Sequence, residues 1–252
     1  MALIKSPEQI EKIKRSARIL AFTLRTLQRA AGVGINLLEL EELARKKIEN
    51  AGGRPAFLGY LPDGAKRPFP FALCISLNDT IVHGQPHNYA LQNGDLLKLD
   101  LGINWHGGIS DAALTVPIGR ITEQEKKLIR TTREALYAGI KAARPRNTLG
   151  DIGYAIEKTV RRAGFAVVNG LTGHGVGIDI HEEPAVYNFG EPREGMELRP
   201  GMVLALEPMT AMGGPKIQRK SDDSYATLDG SKSAHFEHTI LITKGRPAIL
   251  TR

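Results

Sequence analysis

The chain repeats itself once, and each copy ends a buried strand on an acid. Leu91-Gln92-Asn93-Gly94-Asp95-Leu96-Leu97-Lys98-Leu99-Asp100 recurs as Leu198-Arg199-Pro200-Gly201-Met202-Val203-Leu204-Ala205-Leu206-Glu207. Each copy is a turn glycine, an apolar strand and a carboxylate at the strand's far end. A second acid follows in each half, Asp111 in Ile109-Ser110-Asp111 and Glu237 in His235-Phe236-Glu237. Repeated halves that each carry such acids point to one shared metal site on an internal pseudo-twofold axis.

The repeat extends to the helices. Residues 30–52 align without gaps on 142–164, matching Leu37, Leu40, Ala44 and Ile48 with Leu149, Ile152, Ile156 and Val160 at helical spacing. Both segments end in Ala-Gly, the signature of a left-handed cap. A further helix precedes each, opened by Ser6-Pro7-Glu8-Gln9 and by Thr122-Glu123-Gln124-Glu125, two capping-box patterns. Each half therefore reads helix, helix, then several strands. The short apolar stretch 112–121 cannot act as a spacer, so the halves, about 1–115 and 120–252, are expected to share one sheet and one core as a single domain over 1–252. The expected class is α+β, with helices covering one face of a curved, mainly antiparallel sheet.

Composition narrows the setting. Hydrophobic content of 42% and charged content of 24% fit a globular chain, which argues against disorder. No apolar run reaches membrane-spanning length, and no signal-peptide core precedes the first helix. The lone cysteine, Cys74, excludes an internal disulfide and fits a reducing compartment, so the cytoplasm is expected. A net charge of +7 favours contact with polyanions such as a ribonucleoprotein. The basic residues are dispersed and lack interleaved aromatics, so no specific DNA binding is expected.

Asp100 and Asp111 flank an Asn/Gly-rich middle that reads as a hairpin. A turn centred near Trp105-His106 would set the two carboxylates directly opposite one another, a repulsive pairing that a cation relieves. Alone, this pair is read more simply as a turn residue and a surface strand residue, and Glu207 as a salt-bridged core acid. Gly173-His174-Gly175-Val176-Gly177 aims a histidine from flexible backbone, and His181-Glu182-Glu183-Pro184 and His83-Gly84-Gln85-Pro86 share an H-x-x-P shape. Three such histidines beside repeated acids shift the reading towards function. His87, His106 and His235 lack that setting and are expected at the surface or in loops. One imidazole among oxygen ligands suits Mn²⁺, Fe²⁺, Co²⁺ or Zn²⁺. Four carboxylates carry charge enough for two divalent ions, between which a water would be acidified into a nucleophile.

Asp100, Asp111, His174, Glu207 and Glu237, with the strings Ile81-Val82-His83-Gly84-Gln85, Gly173-His174-Gly175-Val176-Gly177, His181-Glu182-Glu183-Pro184 and Phe236-Glu237-His238-Thr239, resemble the type I methionine aminopeptidases, of the pita-bread fold shared with creatinase and prolidase. The likeness spans nearly the whole chain. It implies removal of N-terminal methionine from nascent polypeptides, by attack of a metal-bridging water on the first peptide bond. It implies Asp111 and Glu237 bridging two divalent ions, with Asp100 on one and His174 and Glu207 on the other. Glu207 would shuttle the proton to the leaving amine, and His83 and His181 would hold the substrate amide and stabilise the tetrahedral intermediate. Tyr60, Cys74 and Tyr225 would line the methionine pocket. A monomer is implied, with transient ribosome association and no membrane. No extension before Ser6 and no insertion in the second half fit a minimal type I enzyme.

The chain departs from the family pattern in its loops. Phe57 stands where some members carry cysteine, Leu61 to Phe71 is longer and proline-rich, and Ser221 to Ser231 is shorter, with Tyr225 where tryptophan is common. These changes bear on pocket shape rather than on the metal ligands. The rival readings are an X-Pro aminopeptidase or prolidase-like activity, whose carriers usually have a large N-terminal domain, and an inactive pita-bread binding protein, which would have lost ligands that are all present here.

Overall fold

The computed structural model describes residues 3–61 and 67–252. Residues 62–66, within the proline-rich stretch named above, lie outside the described residues. The first half runs α1 (Pro7–Ala30), α2 (Leu37–Asn50), β1 (Arg54–Pro55), β2 (Cys74–Leu77), β3 (Thr80–Val82), β4 (Leu96–Trp105) and β5 (Gly108–Pro117). The second runs α3 (Glu123–Ala142), α4 (Leu149–Arg162), β6 (Ala166–Val167), β7 (Thr172–Gly175), β8 (Glu182–Tyr187), β9 (Val203–Leu206), β10 (Met209–Ala211), β11 (Ile217–Arg219), β12 (Tyr225–Thr227), β13 (Ser233–His235), β14 (His238–Leu241) and β15 (Ala248–Ile249).

Local chemistry explains the helix limits. The Ser6 and Thr122 hydroxyls accept from the backbone N–H of Gln9 and Glu125, whose side chains accept in return from the cap backbone. Asn36 and Thr148 open α2 and α4 in the same way. Gly52 and Gly164 close them with φ of 73° and 83°, a conformation that costs glycine little.

Every pairing of these strands is antiparallel. β4 is flanked by β2 and β5, with β1 pairing along its far end; the second large sheet has the order β15-β14-β9-β7-β8. In the first half, Leu20, Leu24 and Leu27 of α1 and Leu40 and Ile48 of α2 bury against Leu97, Leu99 and Leu101 of β4. In the second, Leu128, Leu136, Ile152 and Ile156 bury against Leu204, Leu206 and Ile240. Each of these side chains stabilises the fold by about 1.5–3 kcal/mol through removal from water. With the helices on one face, the residues alternating with these leucines, Lys98 and Asp100, point to the other face, and they are buried too.

The hairpin register differs from the sequence expectation. The turn is His106-Gly107, with φ of 49° and 83°, the two positive values that a type I′ hairpin turn requires. Trp105 therefore pairs with Gly108, Gly102 faces Asp111, and Asp100 faces Ala113. The two acids are diagonal neighbours on one face rather than a direct pair, because the turn is centred one residue later than the Asn/Gly composition implied.

Two threonines join the halves. The Asp111 N–H donates to Thr239 Oγ1 (2.9 Å), which donates to the Asp111 carbonyl (2.7 Å). The His235 N–H donates to Thr115 Oγ1 (2.9 Å), which donates to the His235 carbonyl (2.8 Å).

Candidate metal centre

The four acids arrive from two strand pairs, one per half. Asp100 and Asp111 lie on β4 and β5, Glu207 directly after β9, and Glu237 between β13 and β14. His174 comes from β7, whose neighbour β9 leads into Glu207. All five side chains line one cavity of about 910 Å³, together with His83, His181, Tyr60, Cys74 and Tyr225. The fold thus brings every candidate site residue to one wall or floor.

The acids are 7, 3, 8 and 2% exposed for Asp100, Asp111, Glu207 and Glu237. Among the described residues no lysine or arginine forms an ion pair with any of them. Burial raises the Asp111 carboxyl to about 7. Burial, and then the neighbouring acids, hold Asp100, Glu207 and Glu237 well above the usual carboxylate range. Asp100 Oδ1, Asp111 Oδ1 and Glu237 Oε1 are buried without a hydrogen-bond partner among the described residues. Uncompensated, such a cluster is costly.

The donor set fits divalent metal. Asp111, His174 and Glu237 offer ligand atoms that all lie within 4.8 Å of one another. His174 Nδ1 lies 2.9 Å from the Gly175 carbonyl, the kind of outer contact that would leave the Nε2 lone pair free to hold a metal. That Nε2 lies 3.4 Å from Glu207 Oε1 and 3.9 Å from Asp111 Oδ2. Burial, and then His181, pull its pKa down to about 3, which keeps the ring neutral and able to ligate.

His181 stacks edge-on to His174 at 4.5 Å between centroids, and its Nδ1 meets the Tyr60 hydroxyl at 2.8 Å. His83 also lines the cavity, in a left-handed conformation (φ 60°) with its ring edge-on to Tyr225 at 5.8 Å. Gly84 makes that approach possible, since a Cβ there would sit 2.2 Å from the Ile75 carbonyl oxygen. Burial, and then His181, lower His83 to about 4. Cys74 is paired across the ladder with Asp100, and burial followed by that acid pushes its thiol well up. Phe57 also lines the cavity and packs edge-on to Phe69, adding an apolar wall.

One expectation fails. His87 and His106 are exposed, but His235 is 1% exposed and its Nε2 lies 3.4 Å from Glu207 Oε2. It is the last residue of β13, two positions before Glu237, and pairs with Met209 two positions after Glu207. His235 has neither the glycine flanks nor the H-x-x-P shape of the other candidates, so nothing local set it apart.

A pseudo-symmetric antiparallel fold with a buried cluster of Asp, Glu and His at the floor of an apolar-walled cavity defines a metallohydrolase. Residues 11–244 match the metallopeptidase family M24. The chain is 39% identical to methionine aminopeptidase 1 of Bacillus subtilis over 253 residues, covering 100% of both, and 40% identical to the Aquifex aeolicus methionine aminopeptidase, covering 98% of this chain and 97% of that one. The crystal structure of the Thermotoga maritima methionine aminopeptidase superposes with a TM-score of 0.95 at 39% identity over 100% of both chains. The chain belongs to the methionine aminopeptidases of family M24, with their pita-bread fold. A Pyrococcus furiosus prolidase shares the fold at 22% identity and a TM-score of 0.78, and this chain spans 65% of it.

Proposed function

We propose that this chain is a single catalytic domain over residues 1–252 that removes the N-terminal methionine from nascent polypeptides by metal-dependent hydrolysis of the first peptide bond. The observation that carries the reading is the set of four buried acids without a lysine or arginine partner among the described residues, beside a neutral His174, at the floor of a cavity walled by Phe57, Tyr60 and Cys74. Asp111 and Glu237 would bridge two divalent ions, with Asp100 completing one site and His174 and Glu207 the other. When bound, the ions (Mn, Fe, Co or Zn) polarise the scissile carbonyl and make water nucleophilic near neutral pH.

The side chains account for the rest. The Glu207 carboxylate takes a proton from the attacking water and returns it to the leaving amine, a role open to a buried acid that lines the cavity. His83 and His181 reach the substrate amide and donate to the oxygen on which charge develops. Tyr60 orients His181 through Nδ1. Phe57, Cys74 and Tyr225 enclose the methionine side chain, which needs an apolar pocket rather than a charged partner. The net charge of +7 supports transient association with the ribosome, where nascent N-termini emerge. We place the protein in the cytoplasm as a monomer; among the described residues no helix is long and apolar enough to cross a membrane.

The test is methionine release from Met-Gly-Met-Met by metal-free protein titrated with Mn²⁺, Co²⁺ or Fe²⁺, with Ala-Pro peptides alongside. Metal-dependent cleavage of the methionine peptide alone is expected, and Glu207→Gln should abolish it. Cleavage confined to the proline peptides would move the activity to the prolidase branch.

A further inference from the structure

His235 belongs to none of the roles assigned above, yet the fold gives it a particular place. Gly102 and Met209 each lie two residues past the first acid of their half, and their cross-strand partners are Asp111 and His235. The threonine bridges repeat the equivalence. Asp111 is clamped through its N–H and carbonyl by Thr239, and His235 in the same manner by Thr115, each threonine standing four residues beyond the clamped position of its own half. His235, not Glu237, is therefore the pseudo-twofold mate of Asp111, and its side chain is aimed at the acid cluster.

Its surroundings narrow what it does there. The ring is 1% exposed, does not line the cavity, and neither Nδ1 nor Nε2 makes a hydrogen bond among the described residues. A buried imidazole in that state is expensive unless it faces a group that uses it. The group it faces is Glu207. The two oxygens of that carboxylate are bracketed by two imidazoles, Oε1 by His174 Nε2 and Oε2 by His235 Nε2, each at 3.4 Å. The His174 contact faces the cavity, whereas His235 approaches from behind. The strand carrying His235 is itself held, since the buried Lys98 Nζ donates to Ser233 Oγ (3.2 Å) and to the Asn78 carbonyl (2.7 Å).

We propose that His235 is a positioning residue for Glu207: its Nε2–H donates to Oε2 from the protein side and so turns Oε1 towards His174 and the reacting water. The assignment rests on the reading of Glu207 given above. Contacts of this kind are long without ligands and tighten in the working complex. An N–H is all the role requires, so a glutamine amide can supply it and an isosteric hydrocarbon cannot.

The experiment compares His235→Leu with His235→Gln in calorimetric Mn²⁺ titrations and in steady-state cleavage of Met-Gly-Met-Met. His235→Leu should lower kcat about 10–100-fold with KM unchanged and weaken Mn²⁺ binding on a similar scale, as loss of an outer partner of a ligand does, while His235→Gln restores both. In a Glu207→Gln background, His235→Leu should no longer change Mn²⁺ affinity. Equal impairment of the leucine and glutamine variants, wild-type behaviour of both, or an undiminished effect of His235→Leu on Mn²⁺ binding when Glu207 is already replaced would each overturn the proposal. If His235→Leu does not fold, His235→Asn, whose amide is too short to reach Oε2, takes its place with the same expectations. The Mn²⁺ coupling is read without any peptide, so failure of this proposal is distinguishable from failure of the aminopeptidase reading.

Discussion

Lys5 and Glu182 form an ion pair with side chains only 2 and 1% exposed, between the segment ahead of α1 and the residue after His181. The other oxygen of Glu182 accepts from the Ile178 N–H (2.6 Å) and the Asp179 N–H (3.0 Å), closing the turn that presents His181. The packing is tight, because a Cβ on Gly177 would lie 2.9 Å from Lys5 Cε and 2.7 Å from Ile13 Cδ1. Lys5→Met keeps the stem and removes the charge, leaving Glu182 as a buried carboxylate without its cation. Breaking a buried pair from one side costs about 3–5 kcal/mol. For a chain of this size, at about 2–4 °C per kcal/mol, Tm should fall by about 6–20 °C. Glu182→Gln on top of Lys5→Met removes the stranded charge and keeps an acceptor for the two N–H groups, so it should recover more than half of the loss. Urea unfolding of the four proteins, with equal slopes, measures the cycle. A Lys5→Met variant as stable as wild type, or a double variant whose losses simply add, would refute the reasoning.

Metal removal should expose the acids' mutual cost as a pH dependence. The folded pKa of Asp111, about 7 against an ordinary 3.8, means the folded chain holds that proton longer, so its stability is lost as pH rises through 7. The partly buried His83 and His238 (about 4) and His174 (about 3) and the buried His235 (about 3) act in the opposite sense, and their contribution grows until about pH 7.5, where the unfolded imidazoles have lost their protons. Measured against Asp111→Asn, in which the histidine contributions cancel, chelated protein should therefore lose about 0.8 kcal/mol between about pH 6.5 and 8.5, and saturating Mn²⁺ should remove that loss; a chelated stability difference that stays constant with pH contradicts this. Gly102→Ala would bring a Cβ 2.8 Å from Phe57 Cε1 and 3.0 Å from Ile180 Cδ1, pushing Phe57 into the cavity. It should cost about 1–3 kcal/mol of stability and raise KM for methionine peptides with little change in kcat, as steady-state kinetics would reveal.

How much of the molecule can be read from its residues alone follows from the range of the interactions. The helices and their ends were legible, because caps such as Ser6 with Gln9 and Thr122 with Glu125 act over three residues and the apolar stripes over four. The hairpin was legible as a hairpin, yet its register was not, since a shift of one residue in the turn centre moved the partner of Asp111 to Gly102. The candidate ligands stood out because a carboxylate ending an apolar strand is costly wherever it occurs, and here it occurs in both halves. Their convergence with His83, His181 and Tyr60 on one cavity required tertiary structure, as did the Lys5–Glu182 pair across 177 positions. His235 marks the boundary most clearly. Its two-residue spacing from Glu237 was present in the string, but its burial against Glu207 depends on Thr115, which bonds its backbone, and on Lys98, which holds Ser233 of the same strand, both from another part of the chain. Residue chemistry and short-range spacing determined the elements and the kind of site; which side chains face one another was decided only when the two halves closed, because packing between distant strands sets register and burial.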